Sequence, residues 1–261
     1  MSEWFPPTGH PASPEEIERL TPELAAASRE FVMQCCRPIY WYKLDPLDSK
    51  ILNNGSITLI RTPKILMAVT AAHVVRGIEE DQCVRPIRVQ IGDAVIDNLK
   101  NRIIAISDRL DLATVELDNS LISRIGRDIY PLQSWPPLVP QEGRGILLAG
   151  FPGSTRSIVG PRDVSFGPFM AMGIARIVSD EQITWVVERE FLIDDPVVKT
   201  MPPNHDLGGI SGGPLIGIFE TDNHFYHFRW CGIISQANAS LENVVAKRAD
   251  CITEDGFIRH Y

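Results

Sequence analysis

The sequence predicts an all-β chain of two consecutive antiparallel units behind a short helical extension. Three observations carry that prediction. After Pro38 the chain becomes a series of short β-rich segments, "SITLIRT", "ILMAVTAAHVV", "IRVQIG", "RIIAIS" and "LATVEL", separated by turn-like or charged pieces such as "NNGS" and "GIEEDQ". This rhythm suits an antiparallel barrel or sandwich. A second series, "GILLAGF", "MAMGIARIV", "QITWVVE", "GPLIGIF", "RWCGIIS" and "ENVVAKRADCI", follows a linker-like stretch with four prolines, "PLQSWPPLVPQEG", at 131–143. No long helical pattern alternates with the strands, which argues against a parallel α/β sheet.

In chain order, residues 1–12 are rich in proline and polar groups and are expected to be irregular. "SPEE" then reads as a helix start, with Ser13 as cap, Pro14 at the first helical position and Glu16 completing a capping box. "TPELAAASREFVMQCC" restarts the pattern at Thr21 and Pro22, and Leu24, Ala27, Phe31 and Cys35 fall on one face at helical spacing. One or two helices are therefore expected between residues 14 and 36. The expected organisation is an extension over 1–40, a first β unit over 41–135 and a second over 136–261. The tail "TEDGFIRHY" has room for a final helical turn.

Composition narrows the functional classes. The chain has 261 residues, 44% of them apolar and 22% charged, with a formal net charge of −8. An acidic chain without a lysine or arginine run is a poor ligand for nucleic acid or an anionic membrane, both of which attract basic surfaces. No stretch approaches the roughly 18 apolar residues of a membrane-spanning helix. The N-terminus lacks the basic start and apolar core of a signal peptide. Cys35, Cys36, Cys83, Cys231 and Cys251 form no C-x-x-C pair, so they read as small buried hydrophobes rather than a disulfide framework or zinc site. These features together predict a cytoplasmic protein without a metal or cofactor. His224 and His227 do not alter that. At i and i+3 on a strand they face opposite sides, and they read as solvent-facing hairpin residues.

One stretch demands chemistry. "DLGGISGGPLIG", Asp206 to Gly217, sets a single serine among five glycines, directly before a strand. Glycines are permissive and entropically costly, so their cluster around Ser211 points to a backbone bent for a purpose. A nucleophilic serine needs a base, and the base needs a third group to hold it. Of six histidines, only His73 ends an apolar strand, in "ILMAVTAAHVV", with Ala71 and Ala72 leaving room beside the ring. Among the acids, Asp111 stands out in "RLDLATVEL", where leucines on both sides imply partial burial and hence a partner.

"TAAHVV", "DLATVEL" and "GISGGPL" together resemble the three signature segments of the chymotrypsin/trypsin-like serine peptidases, in the order His, Asp, Ser. "CGIISQA" at 231–237 resembles the strand that borders the substrate cleft in that family. The resemblance covers roughly residues 45–252. It implies two six-stranded antiparallel barrels, with Ser211 as nucleophile, His73 as base and Asp111 as its orienting carboxylate. It also implies an oxyanion site made of the Gly209 and Ser211 N–H groups, and substrate contacts at His205, Ser235, Gln236 and Ala237. A serine endopeptidase working through an acyl-enzyme is the function so implied. The alternative is a catalytically silent binding or regulatory module on the same fold.

The resemblance also marks departures. Ile210 stands where activatable members carry an aspartate that pairs with a newly cut N-terminus, and Val74 replaces a cysteine. In both respects the chain is more similar to bacterial trypsin-like peptidases and high-temperature-requirement proteases. His205 reads either as the base of the primary pocket or as a surface-loop residue. Ala237 in place of the family's glycine favours small or medium uncharged residues before the scissile bond, the alternative being basic residues recruited by Asp206. Control is expected to come from narrow specificity, a partner or loop order, and the preferred expectation is that "EFLIDDPVVKTMPPNHDL", residues 190–207, adopts more than one conformation, of which a further chain or the substrate selects the active one.

Overall fold

A computed structural model describes residues 9–11, 22–44, 51–126, 131–132, 135–158, 164–186, 207–221, 226–238 and 243–259. The 190–207 segment, apart from Leu207, and with it His205 and Asp206, lies outside these residues, as does the helix start expected at Ser13.

The expected all-β class holds, and its two units differ in closure. The first is a sheet of seven strands: β2 (Cys36–Lys43), β3 (Ile51–Arg61), β4 (Leu66–Thr70), β5 (Ile87–Ile91), β6 (Ala94–Ile96), β7 (Ile103–Ser107) and β8 (Leu112–Glu116). They are ordered β6-β5-β2-β3-β4-β8-β7, and all pairs are antiparallel. Its two edge strands, β6 and β7, do not pair with each other. The second unit contains β9 (Gly145–Gly150), β12 (Phe169–Val178), β13 (Gln182–Val186), β14 (Pro214–Thr221), β15 (Tyr226–Asn238) and β16 (Asn243–Arg248). Pairing of β14 with β9 closes these six strands into a barrel. A small hairpin of β10 (Arg156–Ile158) and β11 (Val164–Phe166) stands apart.

Period-two alternation sorts the side chains into three cores. Ile57, Leu59, Ala68 and Val89 fill the inside of the first sheet. Ile146, Leu148, Ala171, Trp185 and Ala246 fill the second barrel. The opposite faces of the same strands, with Ile60, Met67, Val69 and Leu112 from one unit and Leu147, Ala149, Met172 and Trp230 from the other, share a third core in the seam. Helix α1 (Pro22–Cys35) drops Val32 and Cys35 into this seam, and the Phe31 ring packs at a tilt against Phe228, 5.3 Å between centroids. The C-terminal segment closes it with Cys251, Ile252 and Ile258.

Several local expectations change. The N-terminal stretch read as irregular contains a short strand, β1 (Gly9–Pro11), paired with Phe219–Thr221 at the rim of the barrel. "NNGS" is no turn but part of β3. The strand expected to end at His73 stops at Thr70. His73 lies instead in the first turn of helix α2 (Ala72–Val84), which also takes up the "GIEEDQ" read as a separator. A continuous apolar run does not tell strand from helix; here Ala72, Val74, Val75 and Ile78 form the buried helical face. The tail forms a turn around Thr253–Gly256 with a bridge between Ile252 and Ile258, not a helix. Among the described residues no helix is long and apolar enough to cross a membrane.

Candidate active site

The site lies where α2, the β7–β8 turn, β15 and the loop before β14 meet at the seam. Helix α2 begins without a side-chain cap of its own, since its N-cap is Ala71. Its first N–H groups need acceptors. Asp111 supplies one from the β7–β8 turn: its Oδ1 accepts the backbone N–H of His73 at 3.0 Å. The same carboxylate meets the imidazole, with His73 Nδ1 at 2.9 Å from Oδ2 and 3.1 Å from Oδ1. Ser235 Oγ donates to Oδ2 at 2.9 Å. Burial pushes the Asp111 carboxyl up, but the hydrogen bonds from His73 and Ser235 outweigh it and hold the group below the usual carboxylate range.

Two backbone devices aim these groups. Asp111 adopts a left-handed conformation, φ +50°, which aspartate tolerates better than most side chains. The buried Leu110 and Leu112 anchor it on both sides. Ser235 sits in a bulge of β15, because Ile234 pairs with Ala246 and Gln236 with the next residue, Val245. A bulge re-aims the extra residue. Ser235 thus directs its hydroxyl to Asp111, while its carbonyl accepts the Ser211 hydroxyl at 3.1 Å. That is where Ser211 rests; no hydrogen bond joins it to His73 among the described residues.

The loop from Leu207 to Gly213 can be accounted for group by group. Every carbonyl has a donor. Those of 207 and 210 accept from the N–H groups of Ile210 and Gly213 within the loop; that of 208 accepts from Gly153 N at 2.7 Å, and that of 213 from Ile234 N. Gly209 O accepts from Ser56 Oγ at 2.8 Å, Ser211 O from Ser56 N at 2.8 Å, and Gly212 O from Thr58 Oγ1 at 2.9 Å. The N–H groups of Ile210, Gly212 and Gly213 are likewise used. Those of Gly209 and Ser211 donate to nothing among the described residues. Glycine is required at three of these positions, Gly213 among them because a Cβ there would lie 1.9 Å from Ala149 O, and at the other two the backbone is also left-handed. Gly209 has φ +101°, and a Cβ there would lie 2.4 Å from Asn54 Nδ2; Gly212 has φ +93°, and a Cβ would lie 1.9 Å from Ser56 O.

Ile210 is fully buried among the apolar side chains of the second barrel. Gly150 leaves the room, since a Cβ there would meet Ile210 Cβ at 2.8 Å. The loop is therefore anchored by apolar burial at the position where an ion pair was absent from the sequence. Val74 is buried against Gly55.

The sequence named His73, Asp111, Ser211, Gly209 and Ser235, and the fold gathers all five. Gln236 is exposed and Ala237 half-buried on the following stretch of β15. His227 is exposed at Phe219 of β14, apart from this cluster. Among the described residues no three His, Cys, Asp or Glu side chains gather into a metal-holding group. The sequence reading missed Asn54, Ser56, Thr58 and Thr70. Asn54, Ser56 and Thr58 alternate with Ile57 and Leu59, and this period-two run of small polar residues inside an apolar strand was the available signal.

No family model and no curated protein matches the sequence. Among solved structures, the chain is similar to the active form of the Rv3671c protease from M. tuberculosis. The identity is 16% and the TM-score 0.46, over 95% of this chain and 88% of that one.

Proposed function

We propose that the protein is a serine endopeptidase in which Ser211 attacks the scissile carbonyl, His73 moves the proton and Asp111 holds the imidazole. The observation that carries this reading is the pair of unsatisfied N–H groups, Gly209 and Ser211, flanking a serine hydroxyl in a site that also holds the His73–Asp111–Ser235 chain. Unspent donors around a hydroxyl suit a carbonyl oxygen that becomes an anion, and removing one such donor typically costs about 3 kcal/mol of barrier.

In this mechanism the Asp111 contact occupies Nδ1 of His73 and leaves Nε2 as the base. The Ser211 hydroxyl turns from the Ser235 carbonyl to Nε2, loses its proton there and bonds to the substrate carbonyl carbon. The oxyanion takes the two free N–H groups. His73 then gives the proton to the leaving amine, and an acyl ester on Ser211 remains. Water, deprotonated by His73, attacks that ester, and Ser211 recovers the proton as the acid leaves. Ser235 serves twice, as an Asp111 donor and as the acceptor on which the idle hydroxyl rests. The substrate is a peptide or protein chain, with a small or medium uncharged residue before the cut bond. A partner protein or the substrate governs activity, and the setting is the cytoplasm. The other reading, a silent binding module, is favoured by one observation, the engagement of Ser211 with Ser235 instead of His73.

A fluorophosphonate probe separates the two. The wild-type protein is expected to label at Ser211, and Ser211→Ala to remain unlabelled while folded, with peptide hydrolysis lower by several decades. A folded wild-type protein inert to the probe would favour the silent module.

A further inference from the structure

Ser56 lies outside the Ser-His-Asp cluster, on β3 of the first sheet, and it is fully buried. It makes four hydrogen bonds, and all hold other parts of the site. Its N–H donates to Ser211 O at 2.8 Å, and its carbonyl accepts Thr70 Oγ1 at 2.7 Å. Its hydroxyl donates to Gly209 O at 2.8 Å while accepting the N–H of Phe151, also at 2.8 Å. The hydroxyl therefore ties the loop that follows β9 to the nucleophile loop, which belong to one unit, through a side chain of the other. Asn54 reinforces the tie two residues earlier by donating to Phe151 O at 3.0 Å.

A peptide group is planar, and its C=O and N–H point in opposite directions. The N–H of Gly209 belongs to the peptide whose carbonyl is Gly208 O, held by Gly153 N. The next peptide carries Gly209 O, held by Ser56. A glycine flanked by two held peptides has no remaining freedom to turn. Without the Ser56 hydroxyl, the second peptide keeps only the bond from its Ile210 N–H to Leu207 O, at 3.1 Å, next to a residue whose φ is unrestricted by a Cβ. The Phe151 N–H, two residues before Gly153, is left buried without its acceptor.

We propose that Ser56 is a positioning residue for the oxyanion site: its hydroxyl orients the Gly209 peptide from across the seam. The inference rests on the peptidase reading above for its catalytic consequence, while its geometric content stands apart from turnover. Ser56 touches no substrate atom and acts through Gly209.

The test compares wild type, Ser56→Ala and Ser56→Thr on two readouts. The first is hydrolysis of a p-nitrophenyl ester, normalised to active sites titrated with the fluorophosphonate. Ser56→Ala is expected to lose about 10-fold or more in kcat with KM within about threefold, because the donor is used mainly in the transition state, and Ser56→Thr to recover most of the loss. The second is the Gly209 amide resonance in deuterated, 15N-labelled protein, expected to be a single line in wild type and Ser56→Thr and split or exchange-broadened in Ser56→Ala. If Ser56→Ala does not fold, Ser56→Cys, near-isosteric with a weaker donor, is measured in its place and is expected to show the same changes reduced in size. An unaltered Gly209 resonance with full kcat per titrated site overturns the inference. An inert wild type counts against the peptidase reading alone, and the Gly209 resonance still decides the role of Ser56.

Discussion

Asp111 shows how much one residue can be asked to do. It accepts from the His73 backbone, the His73 ring and Ser235, from a left-handed backbone position. Its neighbour in the same turn, Asp108, makes a two-point contact with Arg76 one helical turn beyond His73, at 3.0 Å for each hydrogen bond. This second tie fixes the turn to the helix, although exposed ion pairs contribute little to stability by themselves. A folded-state carboxyl held below its usual value stabilises the protein above the unfolded-state value, about 3.9, and that contribution disappears as pH falls through the lower folded-state value. Urea unfolding of wild type and Asp111→Asn is therefore expected to show a stability gap that is constant near neutrality and shrinks below about pH 4. A gap that stays constant down to pH 3 would contradict the assignment. At this scale the sequence was informative where chemistry is specific to residue type, as for Ser211, His73 and Asp111. At Asn54 and Ser56 the period-two signal was masked, because Asn, Gly and Ser are also the residues that make turns, and "NNGS" reads as a turn until strand pairing is known.

At the scale of elements, the nucleophile loop is held from two directions. Polar groups of β3 hold its carbonyls, and the barrel core holds Ile210. The sequence showed that Ile210 cannot form an ion pair; it could not show that the side chain is an apolar anchor, because that depends on Gly150 of β9. Ile210→Ala leaves a cavity in a fully buried site and is expected to cost about 2–4 kcal/mol, measured by denaturant unfolding. The same variant is expected to label more slowly with the fluorophosphonate, since its loop has lost one of two holds. Loss of stability without any change in labelling rate would show that the β3 contacts suffice. Most of the strands were legible as short β-rich runs between turn-like or charged pieces. Helix α2 was not, because Ala71, Ala72 and Val74 extend an apolar strand without a break in hydrophobicity, and only the pairing of Leu66–Thr70 shows where the strand ends.

The whole molecule is two β units joined by a third core that neither could form alone. Helix α1 and the C-terminal turn belong to this seam, as do the site's cross-unit hydrogen bonds, so separation of the units would dismantle the site. The cysteines report on that arrangement. All five are free thiols, and only Cys83 is exposed. Cys35, Cys36 and Cys251 lie in the seam, and Cys231 lies inside the second barrel. Burial pushes the Cys36 thiol up to about 12 and that of Cys251 up to about 11, and Cys231 is raised by the same cause. Thiolates are the reactive form, so in native protein a disulfide-exchange reagent is expected to modify Cys83 quickly and the other four only through opening. Because the seam is built from the outward faces of the strands that enclose the second core, its opening and that of the barrel should be one event. Mass spectrometry of partly labelled protein across a urea series is expected to give Cys35, Cys36, Cys251 and Cys231 the same dependence on denaturant. Seam thiols that react at clearly lower urea than Cys231 would mean that the units part before either unfolds, and the polar ties through Ser56 and Thr58 would then be too weak to hold the site together.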